Sequence, residues 1–178
     1  FNVLMVGRYA GEKRQDELID ACAKSRHARE IQVILAGKGP LEKKYRRLAE
    51  KLPNPIVMEF YEPARLLEIL HMADLYVHTS DAEIEAMSCM EAFACGLVPV
   101  IADSPRSATP QFALDERSLF PAGDTDVLAE RIDWWYEHAT ARHQMARIYA
   151  ESANQYRLKN SIRKAEQMFA EEIAETLG

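Results

Sequence analysis

Asn2-Val-Leu-Met-Val-Gly7, Asp16-Glu-Leu-Ile-Asp-Ala-Cys-Ala23 and Ile31-Gln-Val-Ile-Leu-Ala-Gly37, met in that order, decide the fold. A short apolar run ended by glycine reads as a strand, and Leu18, Ile19 and Cys22 at helical spacing read as a helix; a second apolar strand then follows. The alternation continues outward. Leu41 to Leu52 reads as a charged helix with Leu41, Tyr45, Leu48 and Leu52 on one face. Ile56–Phe60 reads as the third strand, Ala64–Met72 as the third helix and Asp74–His78 as the fourth strand. A turn region leads to a short helix at Ser88–Cys95, a fifth strand at Leu97–Ile101, a weaker one at Ser118–Phe120 and a helix from about Asp124 to His138. Strands that alternate with single helices imply a parallel sheet, because each parallel connection must cross over through a helix. The expected class is therefore α/β, a doubly wound parallel sheet. From Thr140 to Gly178 no strand pattern remains, and two helices broken near Arg157–Asn160 form a C-terminal helical tail; Ile162, Ala165, Phe169 and Ile173 give the second an apolar stripe.

The chain has 178 residues and a net charge of −6, which excludes a basic nucleic-acid platform or a polybasic membrane anchor as its role. Cys22, Cys89 and Cys95 are odd in number and lack C-x-x-C spacing, so neither a disulfide framework nor a zinc site is expected. A reducing, cytoplasmic setting fits that usage. No stretch approaches the ~20 apolar residues that span a bilayer. One domain over residues 1–178 is the expectation, and a first residue, Phe1, that already stands before a strand without an initiator Met suggests a segment of a larger protein.

In an open parallel sheet, ligands lie beyond the carboxyl ends of the strands. Four loops emerge there. The loop after the first strand carries Gly7, Arg8, Gly11 and Lys13, two cations five residues apart beside flexible backbone. Such a pair can clamp a diphosphate, Arg8 with a fork of donors and Lys13 with a point charge; it can equally be solvated surface. Gly37-Lys-Gly39-Pro40 is either a tight turn into a helix or a place where backbone approaches a ligand closely. Thr79 to Gly96 holds Asp81, Glu83 and Glu85 before a short helix and Glu91 inside it, among Met90, Phe93 and Ala94 that are expected to pack inward. The first three can complement the helix dipole, but a carboxylate buried at 91 needs a partner. Unpaired N–H groups around Ala86–Cys89 offer an anion site. In the fourth loop, Arg106, Ser107 and Thr109 either reach a sugar or phosphate or belong to a polar connection.

The pattern Ser80-x-x-Glu83-x7-Glu91-Ala-x-Ala94-Cys95-Gly96-x-x-Pro99-Val100-Ile101 resembles the hallmark of the retaining glycosyltransferases of family four, S-x-x-E-G-F-G-x-x-x-x-E-A-x-A-x-G-x-P-V-I. The first loop is similar to that family's G-R-[LY]-x-x-x-K-G element and Gly37-x-Gly39-Pro40 to its G-x-G-P turn. The resemblance covers essentially the whole chain and corresponds to the C-terminal, donor-binding half of a two-domain GT-B enzyme, the N-terminal acceptor domain lying outside it. It implies that Arg8 and Lys13 hold a donor diphosphate, Glu83 contacts the transferred hexose and Glu91 accepts from the ribose hydroxyls. Gly7, Gly37, Gly39 and backbone amides at Glu85, Ala86 and Met87 would complete the donor site. Two departures stand out: E-G-F-G has become Glu83-Ile84-Glu85-Ala86, a pattern found among bacterial members of the family, and Arg14 replaces the glycine after the lysine. The resemblance further implies a UDP-hexose, UDP-glucose or a close relative, as donor and a polysaccharide or glycolipid acceptor reached through the absent half. No metal or other cofactor is expected, and the parent would sit at the inner membrane face.

Other residues stay open. Asp124-Thr-Asp126 has the form of a metal-holding D-x-D, but Asp before an apolar-periodic run reads first as a helix cap. His78 either lines the cleft or packs at a strand end, and of Trp134 and Trp135 one packs while the other meets water. Two other functions remain compatible: half of a UDP-N-acetylhexosamine epimerase, which shares the architecture, and a non-catalytic flavodoxin-like binding module.

Overall fold

A computed structural model describes residues 1–177, and the side chains of all of these except 158 and 170–177. Six strands form one sheet: β1 (Asn2–Val6), β2 (Gln32–Ala36), β3 (Val57–Glu59), β4 (Leu75–His78), β5 (Pro99–Asp103) and β6 (Leu119–Pro121). Their order is β3-β2-β1-β4-β5-β6 and every pairing is parallel. The α/β, doubly wound reading of the sequence is correct. The helices are α1 (Gln15–Lys24), α2 (Glu42–Leu48), α3 (Pro63–Met72), α4 (Met87–Ala94), α5 (Thr125–Glu137), α6 (Ala139–Ser152) and α7 (Leu158–Leu177). On one side α1 packs against both α2 and α5, while α4 packs against α6.

The boundaries move where local chemistry intervenes. The expected helix Leu41–Leu52 ends at Leu48 and tightens into a 3-10 turn over Ala49–Lys51, because Leu52 precedes Pro53 and is extended. β5 begins two residues late, since Leu97 N–H still closes the end of α4 on Ala92 O at 3.1 Å, and runs on to Asp103 beside β6. The break in the tail is the 3-10 turn Ala153–Tyr156. Of the apolar stripe expected on α7, Ile162 and Phe169 are exposed among the described residues and Ala165 is half-buried; the Ile173 side chain lies outside the described residues.

The core lies in the central strands and the helices against them. Val3, Leu4, Leu35, Tyr76, Val77, Val100 and Ile101 are almost fully buried, as are Leu18, Phe93 and Trp135 from the helices. Parallel strands covered on both faces read as unbroken apolar runs rather than alternating ones, and this made them legible. Sequence order reverses between β1 and β4, and the loops leaving these two strands open a crevice at the carboxyl edge of the sheet.

Candidate active site

Two cavities meet at this edge. One, of about 790 Å³, is walled by Gly7, Arg8, Glu12, Lys13, residues 82–88 and Arg106. The other, of about 460 Å³, is walled by Gly7, Arg8, residues 36–40, Phe60, Tyr61 and Leu66. Gly7 and Arg8 belong to both and form the ridge between them. Arg8 is exposed on that ridge with no acidic partner at ion-pair distance among the described residues.

The loop after β4 is held from both sides. Asp81 N–H donates to Glu12 O at 2.9 Å and Thr79 Oγ1 to Lys13 O at 2.8 Å. On the opposite flank, Ser104 Oγ donates to Asp81 O at 2.6 Å, Ala108 N–H donates to Glu83 O at 3.0 Å, and Arg106 pairs with the Asp81 carboxylate. The chain then enters α4 through Ala86, which adopts the left-handed conformation at φ 46° and ψ 46°. An L-residue pays roughly 1–2 kcal/mol for that backbone. Arg14 does the same at φ 52°. The backbone thus keeps a glycine-like shape at two of the three positions where the resemblance expects glycine, Arg14 and Ala86, but not at Ile84. N–H groups of Ala86, Met87 and Ser88 find no partner among the described residues and border the larger cavity.

Glu83 sits at the centre of this arrangement with a side chain about one-fifth exposed. Its Oε2 pairs with Lys13 Nζ and lies 3.6 Å from His78 Nε2. The His78 imidazole first, and the Lys13 ammonium after it, push the Glu83 carboxyl down to about 2 in spite of desolvation. Burial lowers the pKa of His78, which is 1% exposed, so the ring is neutral at pH 7. These shifts share a sign. A depressed carboxyl stabilises the fold above its unfolded pKa and loses that contribution as pH falls toward 2, and a buried neutral imidazole resists protonation below its ordinary value. Glu17, raised by burial, acts in the opposite sense. The expected result is a melting temperature that declines from about pH 6.5 and most steeply below about pH 4.5. Glu83→Gln should flatten the lower part, as followed by circular dichroism; an unchanged profile in that variant would count against the pairing.

Gly37 and Gly39 turn out to serve a close approach, but to another loop. A Cβ on Gly37 would stand 2.0 Å from Gly7 O, and one on Gly39 would stand 2.6 Å from Tyr9 O and 2.7 Å from Tyr9 N. Tyr9 N–H donates to Lys38 O at 3.1 Å and Leu41 N–H to Tyr9 O at 3.1 Å, so the two loops are laced together while still lining the smaller cavity.

Glu91 requires a correction. The expectation that it is buried among inward-packing Met90, Phe93 and Ala94 fails, because Glu91 and Ala94 are exposed and Met90 is half-buried. Ala86, Cys89, Ala92 and Phe93 form the buried stripe of α4, which turns Met87, Glu91 and Ala94 outward together. Glu91 stands outside the lining of both cavities, one helical turn behind Met87, which borders the larger. Of the fourth loop, Arg106 reaches the cavity, whereas Thr109 is buried and accepts a 2.9 Å hydrogen bond from Ser107 Oγ. Asp124 caps α5 by accepting from Asp126 and Val127 N–H at 3.2 and 3.0 Å, and Asp126 pairs with Lys24. Trp135 is packed, with Nε1–H donating to Arg117 O at 3.2 Å, while Trp134 lies half-buried against His138.

Sequence reasoning missed Phe60 and Tyr61. They follow β3 directly, so the rule that ligands gather at strand carboxyl ends pointed to them. Lys38 Nζ lies 4.1 Å from the Phe60 ring centre, giving this compartment an aromatic wall with a cation beside it.

The model for the family "Glycosyl transferases group 1" matches residues 1–152. The chain belongs to the group 1 glycosyltransferases. Among solved structures, this glycosyltransferase chain is similar to the catalytic domain of cholesterol-alpha-glucosyltransferase from Helicobacter pylori, at 49% identity and a TM-score of 0.85, over 88% of this chain and 98% of that one. It also resembles the pneumococcal O-GlcNAc transferase GtfA in complex with UDP and GlcNAc, at 22% identity and a TM-score of 0.76, over 98% of this chain and 36% of that one. Anabaena HepE in complex with UDP is similar at 22% identity and a TM-score of 0.77, over 98% and 49%. The last two likenesses show the shared GT-B half, and the glycosyltransferase chain spans only about a third to a half of their length. No curated protein sequence matches it. No helix among the described residues is long and apolar enough to cross a membrane.

Proposed function

We propose that this group 1 glycosyltransferase chain binds a UDP-hexose, UDP-glucose foremost, as the donor half of a retaining hexosyltransferase. Its acceptor half then lies elsewhere in the parent protein, and the domain alone does not turn over. The observation that carries the reading is the convergence of Arg8, Lys13, Glu83 and the open start of α4 on one cavity, joined across Gly7–Arg8 to an aromatic compartment. The nucleobase fits the compartment with Phe60 and Tyr61, the diphosphate the ridge, and the hexose the larger cavity. The UDP complexes of the less similar structures support the choice of base, and the name of the 49% identical relative supports glucose.

When the bond between sugar and diphosphate breaks, charge grows on the leaving diphosphate. Arg8, Lys13 and the N–H groups at Glu85, Ala86 and Met87 stabilise that charge in place, which is why the reading needs no metal. Lys13 exchanges Glu83 for phosphate oxygen as the donor enters. Both contacts to Glu83 fall on Oε2, so Oε1 is left to accept from a hexose hydroxyl. As the family resemblance implies, retention proceeds by attack of an acceptor hydroxyl on the face that the diphosphate leaves, the hydroxyl proton passing to the departing phosphate oxygen. A sterol or other lipid acceptor follows from the same relative and would bring the parent enzyme to the inner face of a membrane.

The ribose hydroxyls are assigned to Glu91, on the exposed face of α4 behind Met87, by the family resemblance. Calorimetry with UDP, UDP-glucose, UDP-GlcNAc, GDP-mannose and ADP-glucose tests the whole reading. UDP-glucose should bind tightest, and Glu91→Gln should weaken every uridine ligand by about tenfold, the value of one hydrogen bond to a charged group, without changing the circular dichroism. Equal binding of all five ligands, or of none, would refute it.

A further inference from the structure

His78 is the least explained polar group near the site. Its ring is almost wholly buried, yet Nε2 has no hydrogen-bond partner within normal distance and faces Glu83 Oε2 at 3.6 Å. The other ring nitrogen is occupied, since Nδ1 lies 3.2 Å from the Tyr76 hydroxyl, which in turn lies 3.0 Å from Ser88 Oγ in the first turn of α4. Tyr76 is itself buried in β4 and its ring stacks on the imidazole at 6.1 Å between centroids. The Tyr76 hydroxyl has a single proton for Ser88 Oγ and Nδ1, and the carboxylate facing Nε2 favours the tautomer in which Nε2 carries the imidazole proton and Nδ1 takes the tyrosine's. Ser88, Tyr76, His78 and Glu83 therefore make one continuous polar row from the start of α4 to the floor of the larger cavity.

Glu83 thus has two donors of unlike character. Lys13 approaches from the cavity on a flexible four-carbon stem and is the group for which an entering diphosphate competes. His78 approaches from the protein interior, is almost wholly buried and held at Nδ1 by Tyr76, and cannot be drawn away by a ligand. We propose that His78, locked by Tyr76, is a positioning residue that keeps Glu83 aimed at the donor hexose once the diphosphate has taken Lys13. The inference rests on the reading of Glu83 as the hexose contact and adds to it the group that makes this contact selective for the sugar-bearing nucleotide. It also accounts for the unpaired Nε2: at 3.6 Å the two groups stand just beyond hydrogen-bond distance, and on this proposal they close on each other when Lys13 releases Oε2.

The test compares UDP with UDP-glucose, binding each to the same chain by calorimetry. The wild-type chain should bind UDP-glucose more tightly than UDP. His78→Phe, which keeps the ring's bulk but removes the donor, should erase that gain, a loss of about tenfold for UDP-glucose with UDP unchanged. His78→Gln, whose amide can still donate, should restore most of it. Parallel weakening of both ligands in His78→Phe would mean that the ring only packs, and an undiminished preference for UDP-glucose would mean that it does not act on Glu83; either result overturns the proposal. Should His78→Phe fail to fold, Tyr76→Phe carries the same test with the ring in place, since losing the hydroxyl frees the tautomer; a loss of about threefold confined to UDP-glucose is expected, and no loss overturns it. A wild-type chain that binds UDP but gains nothing from glucose would refute the hexose role of Glu83 itself, and His78's with it. A wild-type chain that binds neither would refute the functional reading as a whole.

Discussion

Gly37→Ala is expected to lower the melting temperature by about 6–12 °C, the equivalent of roughly 3 kcal/mol in a chain of this size. The added methyl would stand 2.0 Å from Gly7 O and 2.9 Å from Gly7 C, and because these are backbone atoms no side-chain rotation can make room. The two loops must part, which breaks the hydrogen bonds that Gly7 and Tyr9 N–H donate to Ala36 O and Lys38 O. Gly39→Ala should behave alike, its methyl falling within 2.9 Å of three backbone atoms of Tyr9. Gly11→Ala is the control, for nothing stands within 4 Å of the position where its Cβ would be. Differential scanning calorimetry of the three variants decides the matter; equal melting temperatures would show that the loops are not packed as described.

These glycines also show what the sequence could and could not disclose. The run Gly37-Lys-Gly39-Pro40 signalled a loop that needs bare backbone, but a turn and a close approach share that signal, and only the fold reveals that the neighbour is the loop after β1. The parallel sheet was legible because its strands are buried on both faces and so carry continuous apolar runs. Arg8, Lys13 and Glu83 were legible through their positions after β1 and β4, where the chain reverses its strand order. Glu91 was misread for a reason that periodicity could have prevented. Ala86, Cys89 and Phe93 repeat at three and four residues, and a helix with that buried stripe must turn residues 87, 91 and 94 toward water. The part played by Tyr76 was beyond sequence reasoning, since an apolar strand gives no sign that one hydroxyl within it meets a histidine two residues on and a serine twelve residues on.

Removing both cations of the first loop, Arg8→Ala with Lys13→Ala, should weaken UDP more than about a hundredfold, since each hydrogen bond to a charged group contributes roughly 1.5–3 kcal/mol. The single variants separate binding from stability. Arg8 is exposed and unpaired among the described residues, so its loss should leave the melting temperature unchanged while affinity falls. Lys13 neutralises a partly buried Glu83, so its loss should lower both. Raising the salt concentration should weaken UDP binding to the wild-type chain and have less effect on the double variant. Unchanged affinity in the double variant, measured by calorimetry, would remove the diphosphate from this ridge.

That ridge has an evolutionary corollary. Gly7 and Arg8 are the sole residues common to the walls of the two cavities, and beyond the loop after β1, which also gives Glu12 and Lys13 to the larger one, the compartments draw on different loops, those after β2 and β3 for one and those after β4 and β5 for the other. On the proposed reading, a lineage can therefore exchange the base met by Phe60 and Tyr61 and the sugar met by residues 82–88 as separate inheritances, without dismantling the anchor that both halves of a donor would cross.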